Sequence, residues 1–394
     1  MGDCALFDVH KKMRELYGTH VVHINSTYQG GGVAELLSSL VPLMNDVGLN
    51  AGWRILHGTP DFFAITKKFH NALHGEMINM TSIKRELYTD ANESFAQYTH
   101  ITHDCIIVHD PQPLPLIKHY RKTQPWIWRC HVDLSEPDEE VWDYLKGFIL
   151  RYDTVIVSNE SYKREDLSVD QKVIPPAIDP LTPKNMELPE DMISKYLEKF
   201  CIPTDKPLIV QISRFDKWKD PLGVLDVFER VKEEEDCRLV LCGSTATDDP
   251  EGTMIYDMVK KRANDLVKSG DVVLLTVENN IVVNALQRAA AVVVQKSLRE
   301  GFGLTVTEAM WKGTPVVASN VGGIPLQIEE GKSGFLVEPH DIDEFADRVL
   351  KLLQSPDLAE KMGKNGKESV REKFLITRLL LDYVKLLGEV KNNQ

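Results

Sequence analysis

Short runs of apolar residues alternate with longer amphipathic stretches along the whole 394-residue chain. The short runs are rich in Val and Ile, which predicts buried strands, and the amphipathic stretches predict helices that cover them. In the first half, strands are predicted at 20–24, 51–56, 105–108, 126–129 and 154–157, and in the second half at 207–212, 238–242, 272–275, 291–295 and 314–318. Helices are predicted at 33–45, 304–312 and 374–390. This alternation is typical of α/β proteins with parallel sheets.

A proline-rich stretch separates the two series of strands. Four prolines in ten residues at 174–183 interrupt both helices and strands and stiffen the path of the chain. We therefore expect an N-terminal Rossmann-like domain over 1–178 and a C-terminal one over 179–373. The last helix, at about 374–394, is expected to pack back on the first domain.

The composition of the chain limits the types of ligand and the cellular compartment that we expect. The chain has 46 Lys and Arg against 59 Asp and Glu, and the net charge of −13 disfavours a nucleic acid as the main ligand. No window approaches the roughly 18 apolar residues of a membrane span. Residues 1–14 lack a signal-peptide pattern, and the six cysteines form no CxxC pair, which together favour a cytoplasmic protein. A homodimer is compatible with the sequence, which contains no argument for one.

The first candidate motif is Gly30-Gly31-Gly32, which lies between the first strand and the first helix. Glycines let a ligand approach the backbone, and the N-terminus of a helix attracts phosphate through its free N–H groups. The motif matches neither a Walker loop nor GxGxxG, so a tight structural turn remains an equal alternative.

The second motif follows the first strand of the second half, at 213–220. Because the carboxyl ends of parallel strands face the ligand crevice, Arg214 and Lys219 project to where an anion would bind. A guanidinium can grip two phosphate oxygens, and lysine adds a compact charge. A solvated basic loop is the alternative.

The third motif, at 299–309, is the most specific. Glu300 and Glu308 are separated by a glycine-containing bend and the start of a predicted helix. The first turn of that helix can donate N–H groups to a diphosphate, Glu308 can reach a ribose diol, and Glu300 lies near where the sugar would be.

No motif predicts a metal site. His103, His109 and His119 lack metal-ligand spacing, and Asp248-Asp249 precedes Pro250 in what we interpret as a turn. If the ligand is a nucleotide, Arg214 and Lys219 already supply two cations, so no bound metal is required, and any stimulation by Mg²⁺ would act through that nucleotide.

The combination of Arg214, Lys219 and the Glu300–Glu308 motif resembles the large family of retaining GT-B glycosyltransferases that includes sucrose synthase. That resemblance implies two Rossmann-like, doubly wound domains facing an interdomain cleft. Further strings at 23–35, 108–113, 128–135, 299–313 and 321–324 resemble the archaeal and bacterial trehalose glycosyltransferring synthases. The resemblance covers essentially the whole chain. It implies transfer of glucose from a nucleoside diphosphate glucose, with ADP or UDP as the nucleotide, to free glucose to give trehalose.

The resemblance also implies roles for individual residues. Arg214 and Lys219 would neutralise the departing diphosphate, while Glu300 contacts the donor glucose and Glu308 the ribose. By its sequence position alone, His131 is interpreted as a strand-end histidine whose hydrogen bonds are satisfied within the protein. The resemblance instead implies that it contacts the donor sugar near its C6 hydroxyl. The remaining donor-side residues are expected to be Gly31, Gly32, Gly301, Phe302, Gly303, Leu304 and Thr305. The acceptor-side residues are expected to be Asp110, Gln112 and Asp133.

Two alternatives stay open at this point. Fungal-type trehalose phosphorylases, which use inorganic phosphate, share much of the pattern. A non-catalytic sugar-nucleotide binding protein is disfavoured because Arg214, Lys219, Glu300 and Glu308 are all present.

Overall fold

Two six-stranded parallel sheets organise the computed structural model, which describes residues 3–28, 31–243 and 250–392. Each sheet belongs to one of two compact units. Unit 1 comprises Met1–Ala177 and Ile376–Gln394, and unit 2 comprises Ile178–Leu375. Within the described residues, no helix has both the length and the apolar character needed to cross a membrane.

Unit 1 has a continuous alternation of helices and strands. Its elements before the boundary are α1 (Asp3–Met13), β1 (His20–Asn25), α2 (Gly32–Asp46), β2 (Asn50–Ile55), α3 (Pro60–Leu73), α4 (Ser82–Tyr98), β3 (Cys105–His109), β4 (Trp126–Arg129), α5 (Glu139–Ile149), β5 (Thr154–Val157) and β6 (Asp170–Val173). The strand order is β2-β1-β3-β4-β5-β6, and every pairing is parallel. The order reverses between β1 and β3, which places a topological switch point there.

Unit 2 repeats this plan. Its elements are α6 (Glu190–Lys199), β7 (Leu208–Ile212), α7 (Pro221–Glu234), β8 (Arg238–Gly243), α8 (Pro250–Arg262), α9 (Asn264–Ser269), β9 (Val272–Thr276), α10 (Asn280–Ala289), β10 (Val292–Gln295), α11 (Leu304–Trp311), β11 (Val316–Ser319), β12 (Phe335–Val337), α12 (Ile342–Leu353) and α13 (Pro356–Lys373). The strand order is β12-β11-β10-β7-β8-β9. The switch point of this sheet therefore lies between β7 and β10.

The last helix, α14 (Ile376–Asn392), belongs to unit 1. It contributes Leu379, Leu380 and Tyr383 to a core shared with α1, α2 and one face of the first sheet. The opposite face of the sheet packs against α3, α4 and α5. Both faces of the strands are thus covered, as their unbroken apolar runs predict.

The structure confirms the ten predicted strands to within two residues at each end and adds β6 and β12. Both added strands lie at the edge of a sheet. β6 has the sequence Asp-Gln-Lys-Val with no fully buried residue, and β12 is three residues long. An edge strand is paired on one side only, so it can be short or polar and escape detection by its apolar pattern.

Candidate active site

The switch point of the second sheet brings together the loops that follow β7 and β10. Lys219, from the first loop, forms an ion pair with Oε2 of Glu300, from the second. Ser297 donates to the same oxygen over 3.2 Å. The Lys219 side chain is 17% exposed and that of Glu300 is 11% exposed, so the pair is shielded but reachable. Two residues 81 positions apart thus meet where a ligand would be expected.

A buried glutamine in β7 holds the two loops in register. Nε2 of Gln211 donates to the carbonyl oxygen of Lys219 over 2.9 Å, and its Oε1 accepts from the backbone N–H of Lys296 over 3.0 Å. The N–H of Leu298 also donates to the carbonyl oxygen of Trp218 at 2.8 Å. Sequence reasoning missed Gln211, although an amide inside an otherwise apolar strand was an available signal.

A second ion pair lies beneath the first loop. Nζ of Lys296, which is 1% exposed, contacts Oδ2 of Asp220. Asp220 has a φ of 40° and accepts from the N–H of Gly223, which caps α7. A left-handed backbone is costly for a residue other than glycine. The buried lysine and the helix cap together stabilise this conformation, which fixes the end of the loop that carries Lys219.

Arg214 is less constrained than Lys219. Its side chain is 51% exposed, and its guanidinium lies 3.6 Å from Oδ2 of Asp216. Asp216 itself is 4% exposed in its side chain and accepts from the N–H of Trp218 over 2.9 Å. The arginine therefore extends from a turn held by Asp216, and about half of its side chain is exposed to solvent.

The N-terminus of α11 opens beside Glu300. Gly303 precedes the helix with a φ of 83°, and no described side chain caps it. A Cβ on Gly303 would lie 3.2 Å from Cγ of Glu300, so the carboxylate approaches the helix start closely. The first-turn N–H groups, including those of Leu304 and Thr305, have no acceptor within the helix, which makes this end suited to an anion.

Gln327 fixes the bend that leads into α11. Its Nε2 donates to the carbonyl oxygen of Phe302 over 2.5 Å, and its Oε1 accepts from Oγ1 of Thr307 over 2.5 Å. Gly323 packs on the same bend, because a Cβ there would lie 2.8 Å from the carbonyl oxygen of Gly301. The loop 321–324, which the sequence marked only by its resemblance to the synthases, thus supports the backbone of Gly301 and Phe302.

Glu308 lies in the middle of α11 and is 5% exposed. Nζ of Lys184 lies 3.7 Å from its Oε1, and the buried Lys312 donates to its backbone carbonyl over 3.1 Å. Burial lowers the pKa of Lys312 to about 7, an effect that the charge of Glu308 opposes. Glu308 is therefore a shielded carboxylate with a cation on one side.

In unit 1, the switch point between β1 and β3 contains histidines. Nδ1 of His23 lies 2.9 Å from Nε2 of His109, and Nδ1 of His109 lies 3.0 Å from Nε2 of His131. Burial lowers the pKa of all three imidazoles, and the Arg129 guanidinium lowers those of His109 and His131 further. The three rings are consequently neutral near pH 7. The sequence singled out His131 but gave no role to His23 or His109.

The three acceptor-side candidates differ in what they already bind. Asp110 has a φ of 63°, and its Oδ1 accepts from the backbone N–H of His131 over 2.8 Å. Burial raises the pKa of Asp110 to about 6. Asp133 is 3% exposed, and its Oδ1 accepts from N and Oγ of Ser135 at 2.9 and 2.6 Å. Gln112 is half-buried, and its backbone carbonyl oxygen accepts a hydrogen bond from Nδ2 of Asn92 over 3.1 Å. Asp110 and His131 are thus neighbours, while one oxygen of Asp133 is occupied in a turn.

The glycine motif of unit 1 is described from Gly31 onwards, and Gly30 lies outside the described residues. Gly31 has a φ of 100° and precedes α2, with no described side chain as a cap. A Cβ at Gly31 would contact nothing within 4 Å, so the backbone angle, and not crowding, requires glycine. Gly32 is the first residue of α2.

Asp248-Asp249 also lies outside the described residues, which contain no cluster of three metal-ligating side chains.

Comparisons with known proteins agree with this architecture. Residues 23–164 match the family model described as "Trehalose synthase, N-terminal domain", and residues 192–369 match "Glycosyl transferases group 1". The solved sucrose-phosphate synthase from Thermosynechococcus elongatus superposes with a TM-score of 0.76 at 18% identity, over 95% of this chain and 100% of that one. This likeness shows the GT-B fold.

Curated relatives identify the family within that fold. The chain is 47% identical to the trehalose synthase of Thermococcus litoralis over 98% of this chain and 95% of the relative. It is 30% identical to the trehalose phosphorylase of Grifola frondosa, over 88% of this chain but 54% of the relative. The chain therefore belongs to the trehalose synthase family of glycosyltransferases.

Proposed function

We propose that this protein is a retaining glucosyltransferase that makes trehalose reversibly from a nucleoside diphosphate glucose and free glucose, with ADP-glucose or UDP-glucose as donor. The observation that carries the proposal is the Lys219–Glu300 pair beside the N-terminus of α11, which no side chain of the described residues caps. A cation and a set of free N–H groups suit a diphosphate, and a carboxylate suits sugar hydroxyls.

In this proposal, the diphosphate binds to Lys219, Arg214 and the N-terminus of α11. The backbone N–H groups that face it belong to the segment of Gly301, Phe302, Gly303, Leu304 and Thr305. The exposure of Arg214 supports this role: about half of its side chain is accessible to solvent, so the guanidinium can turn toward a ligand. Glu308, a shielded carboxylate four residues into the same helix, binds the ribose hydroxyls.

The sugars are assigned in part to unit 1. His131 contacts the donor glucose near its C6 hydroxyl, and Gly31 and Gly32 leave room for the donor at the start of α2. Asp110 and Gln112 are the better acceptor-side candidates. Asp133 is the weaker one, because it is buried and accepts two hydrogen bonds from Ser135.

The transfer keeps the anomeric configuration by a front-face path. The bond between C1 of glucose and the diphosphate oxygen breaks, and C1 bonds to the anomeric oxygen of the acceptor glucose. The acceptor's proton passes to the departing diphosphate oxygen, giving trehalose and a nucleoside diphosphate. The role of Lys219 and Arg214 is to stabilise the charge that grows on the leaving group.

Product analysis tests the proposal directly. The protein is incubated with glucose and ADP-glucose, UDP-glucose or GDP-glucose, and the products are separated and examined by proton NMR. We expect an α,α-linked disaccharide and one equivalent of nucleoside diphosphate. In the reverse direction, trehalose is incubated with ADP or UDP, or with inorganic phosphate. A synthase transfers glucose to the nucleoside diphosphate and gives ADP-glucose or UDP-glucose, whereas glucose 1-phosphate formed from trehalose and phosphate, with no nucleoside diphosphate glucose from ADP or UDP, would show a phosphorylase instead. Donor binding without transfer to glucose or water would show a binding protein.

We further propose that no resident metal takes part, because Lys219 and Arg214 already supply two positive charges to the diphosphate. Treatment with excess EDTA followed by gel filtration is expected to leave turnover within about twofold of the untreated enzyme. Mg²⁺ added back would act only by binding the nucleotide. Loss of activity on chelation, restored by a stoichiometric metal, would contradict this part of the proposal.

A further inference from the structure

The histidine chain of unit 1 ends on a sulfur atom. Beyond the two contacts between His23, His109 and His131, Nε2 of His23 lies 3.4 Å from Sδ of Met44, in α2. Met44 and His23 are fully buried. Four side chains from β1, α2, β3 and the loop after β4 therefore form one continuous series of hydrogen bonds.

The sulfur determines where the protons lie. A thioether has no hydrogen and can only accept, so Nε2 of His23 must carry the proton for this contact to form. Burial lowers the pKa of His23 to about 3, so the ring is neutral and its other nitrogen, Nδ1, is bare. His23 therefore accepts from His109 and does not donate to it.

The position of the proton on His23 in turn fixes the positions of the protons on His109 and His131. His109 is also neutral, so a proton on Nε2, which donates to His23, leaves its Nδ1 bare to accept from Nε2 of His131. His131 consequently carries its proton on Nε2, and its own Nδ1 is bare. His131 is only partly buried, whereas His23 and His109 are fully buried. Among the described residues, this Nδ1 is the one ring nitrogen of the three histidines for which no hydrogen-bond partner is found.

We propose that Met44, His23 and His109 are positioning residues that hold His131 as the Nε2–H tautomer, so that its Nδ1 accepts a hydrogen bond from a hydroxyl of the bound sugar. The sugar in this statement rests on the proposed function, whereas the tautomer does not. A hydroxyl can donate to this nitrogen, but an ether or fluorine at the same position cannot. The hydrogen-bonded series from Met44 to His131 thus favours a substrate that has a hydrogen-bond donor at this position.

The tautomer can be measured without substrate. Protein labelled with ¹⁵N at histidine is examined at pH 7.5 by long-range ¹H–¹⁵N correlation, and the His131 signals are identified by their loss in His131→Gln. We expect Nε2 protonated and Nδ1 bare in the unaltered protein. Met44→Leu keeps the volume but removes the acceptor, so a second, Nδ1-protonated population of His131 should appear. Met13→Leu, the same change at a buried position in the same core, should leave the spectrum unaltered.

Two results would overturn the proposal in this experiment. One is a His131 ring protonated at Nδ1 in the unaltered protein. The other is a Met44→Leu spectrum that matches that of the unaltered protein. Neither depends on catalysis, so the tautomer can be refuted or supported even if the protein does not make trehalose.

Kinetics supplies a second test with a matched pair at His109. His109→Asn retains an oxygen near the place of Nδ1 that can accept from His131, whereas His109→Leu has a similar shape and no acceptor. We expect His109→Leu to raise the donor KM roughly tenfold, the scale of one lost hydrogen bond, and His109→Asn to restore most of it. Equal donor KM values for the two variants, both folded by circular dichroism, would contradict the positioning role.

Discussion

Single side chains at the switch point of the second sheet take their roles from partners far away in sequence. Lys219 lies next to Glu300 because Gln211 ties its carbonyl to the loop that begins at Lys296. Arg214, five residues earlier, lies 3.6 Å from Asp216, its one ionic contact among the described residues. Two cations on one loop thus differ in freedom: Lys219 is preorganised, and Arg214 must turn to reach a ligand.

Removing either charge should slow turnover while the protein stays folded. We expect Lys219→Ala and Arg214→Ala each to lower kcat roughly 100-fold, because each removes a group that stabilises charge on the leaving diphosphate. Steady-state release of nucleoside diphosphate measures the effect.

Lys217→Ala is the matched control for these two variants. Lys217 shares with Lys219 the 3₁₀ turn Lys217–Lys219, which lies three residues after Arg214, but its Nζ lies 3.6 Å from Glu251 and over the ring of Trp218. Its kcat should stay within about twofold of the unaltered enzyme. A normal kcat in Lys219→Ala or Arg214→Ala would remove that residue from the proposed mechanism.

At the scale of elements, α11 is bounded by two glycines with left-handed backbone angles. Gly303 has a φ of 83° before the helix, and Gly313 has a φ of 79° after it. Their surroundings differ: a Cβ at Gly303 would crowd Glu300 and Ile324 at 3.2 Å, whereas one at Gly313 would contact nothing within 4 Å. The first glycine is thus required by both angle and space, and the second by angle alone.

Because a Cβ would be crowded at Gly303 but not at Gly313, alanine at the two positions should affect stability alike and donor binding differently. Gly303→Ala and Gly313→Ala should each lower the free energy of unfolding by about 1–2 kcal/mol, because both place a Cβ in a left-handed conformation. Only Gly303→Ala should also raise the donor KM, by roughly tenfold or more, since it displaces Glu300 and the start of α11. Urea unfolding and initial-rate kinetics on both variants check this, and a raised donor KM in Gly313→Ala would refute the local explanation.

At the scale of the whole molecule, the buried histidines tie the stability of unit 1 to pH. The pKa values of His23, His109 and His131 are lowered by burial, that of His23 to about 3, so the unfolded chain binds protons below pH ~6.5 that the folded chain cannot. Asp110 acts in the opposite direction between about pH 6 and 4, because its folded-state pKa is raised to about 6. The histidines outnumber it, so stability is present above pH ~6.5 and declines as the pH falls.

We therefore expect the unfolding free energy of unit 1 to decrease between pH 7 and pH 5, by roughly 1.4 kcal/mol per pH unit for each net proton. Urea unfolding can be followed by the fluorescence of Trp126, Trp128 and Trp142, which are fully buried in this unit. His23→Gln should flatten the pH dependence by about one proton, whereas His10→Gln, at an exposed position, should not. Equal slopes for the two variants would mean that His23 is protonated in the folded protein.

The fold was largely predictable, and the candidate site was predictable only in part. Apolar runs located the ten strands, since a strand buried on both faces must be apolar throughout. β6 and β12 were missed because an edge strand needs little apolar sequence. Gln211, Gln327, His23 and His109 were missed because each acts through a partner in another element, and no local pattern records that partner.

The sequence by itself determined two parallel sheets, the loops at their carboxyl ends and the charged residues that those loops carry. These follow from local periodicity and from the residue types at strand ends. Only the tertiary structure decided that β7 lies beside β10 and β1 beside β3, and hence that Lys219 meets Glu300 and that His23 reaches His131 through His109. Strand order depends on pairing between distant segments, and the direction of a hydrogen-bond chain depends on the atom at its end. The spacing of residues along the sequence specifies neither the strand order nor the direction of these hydrogen bonds.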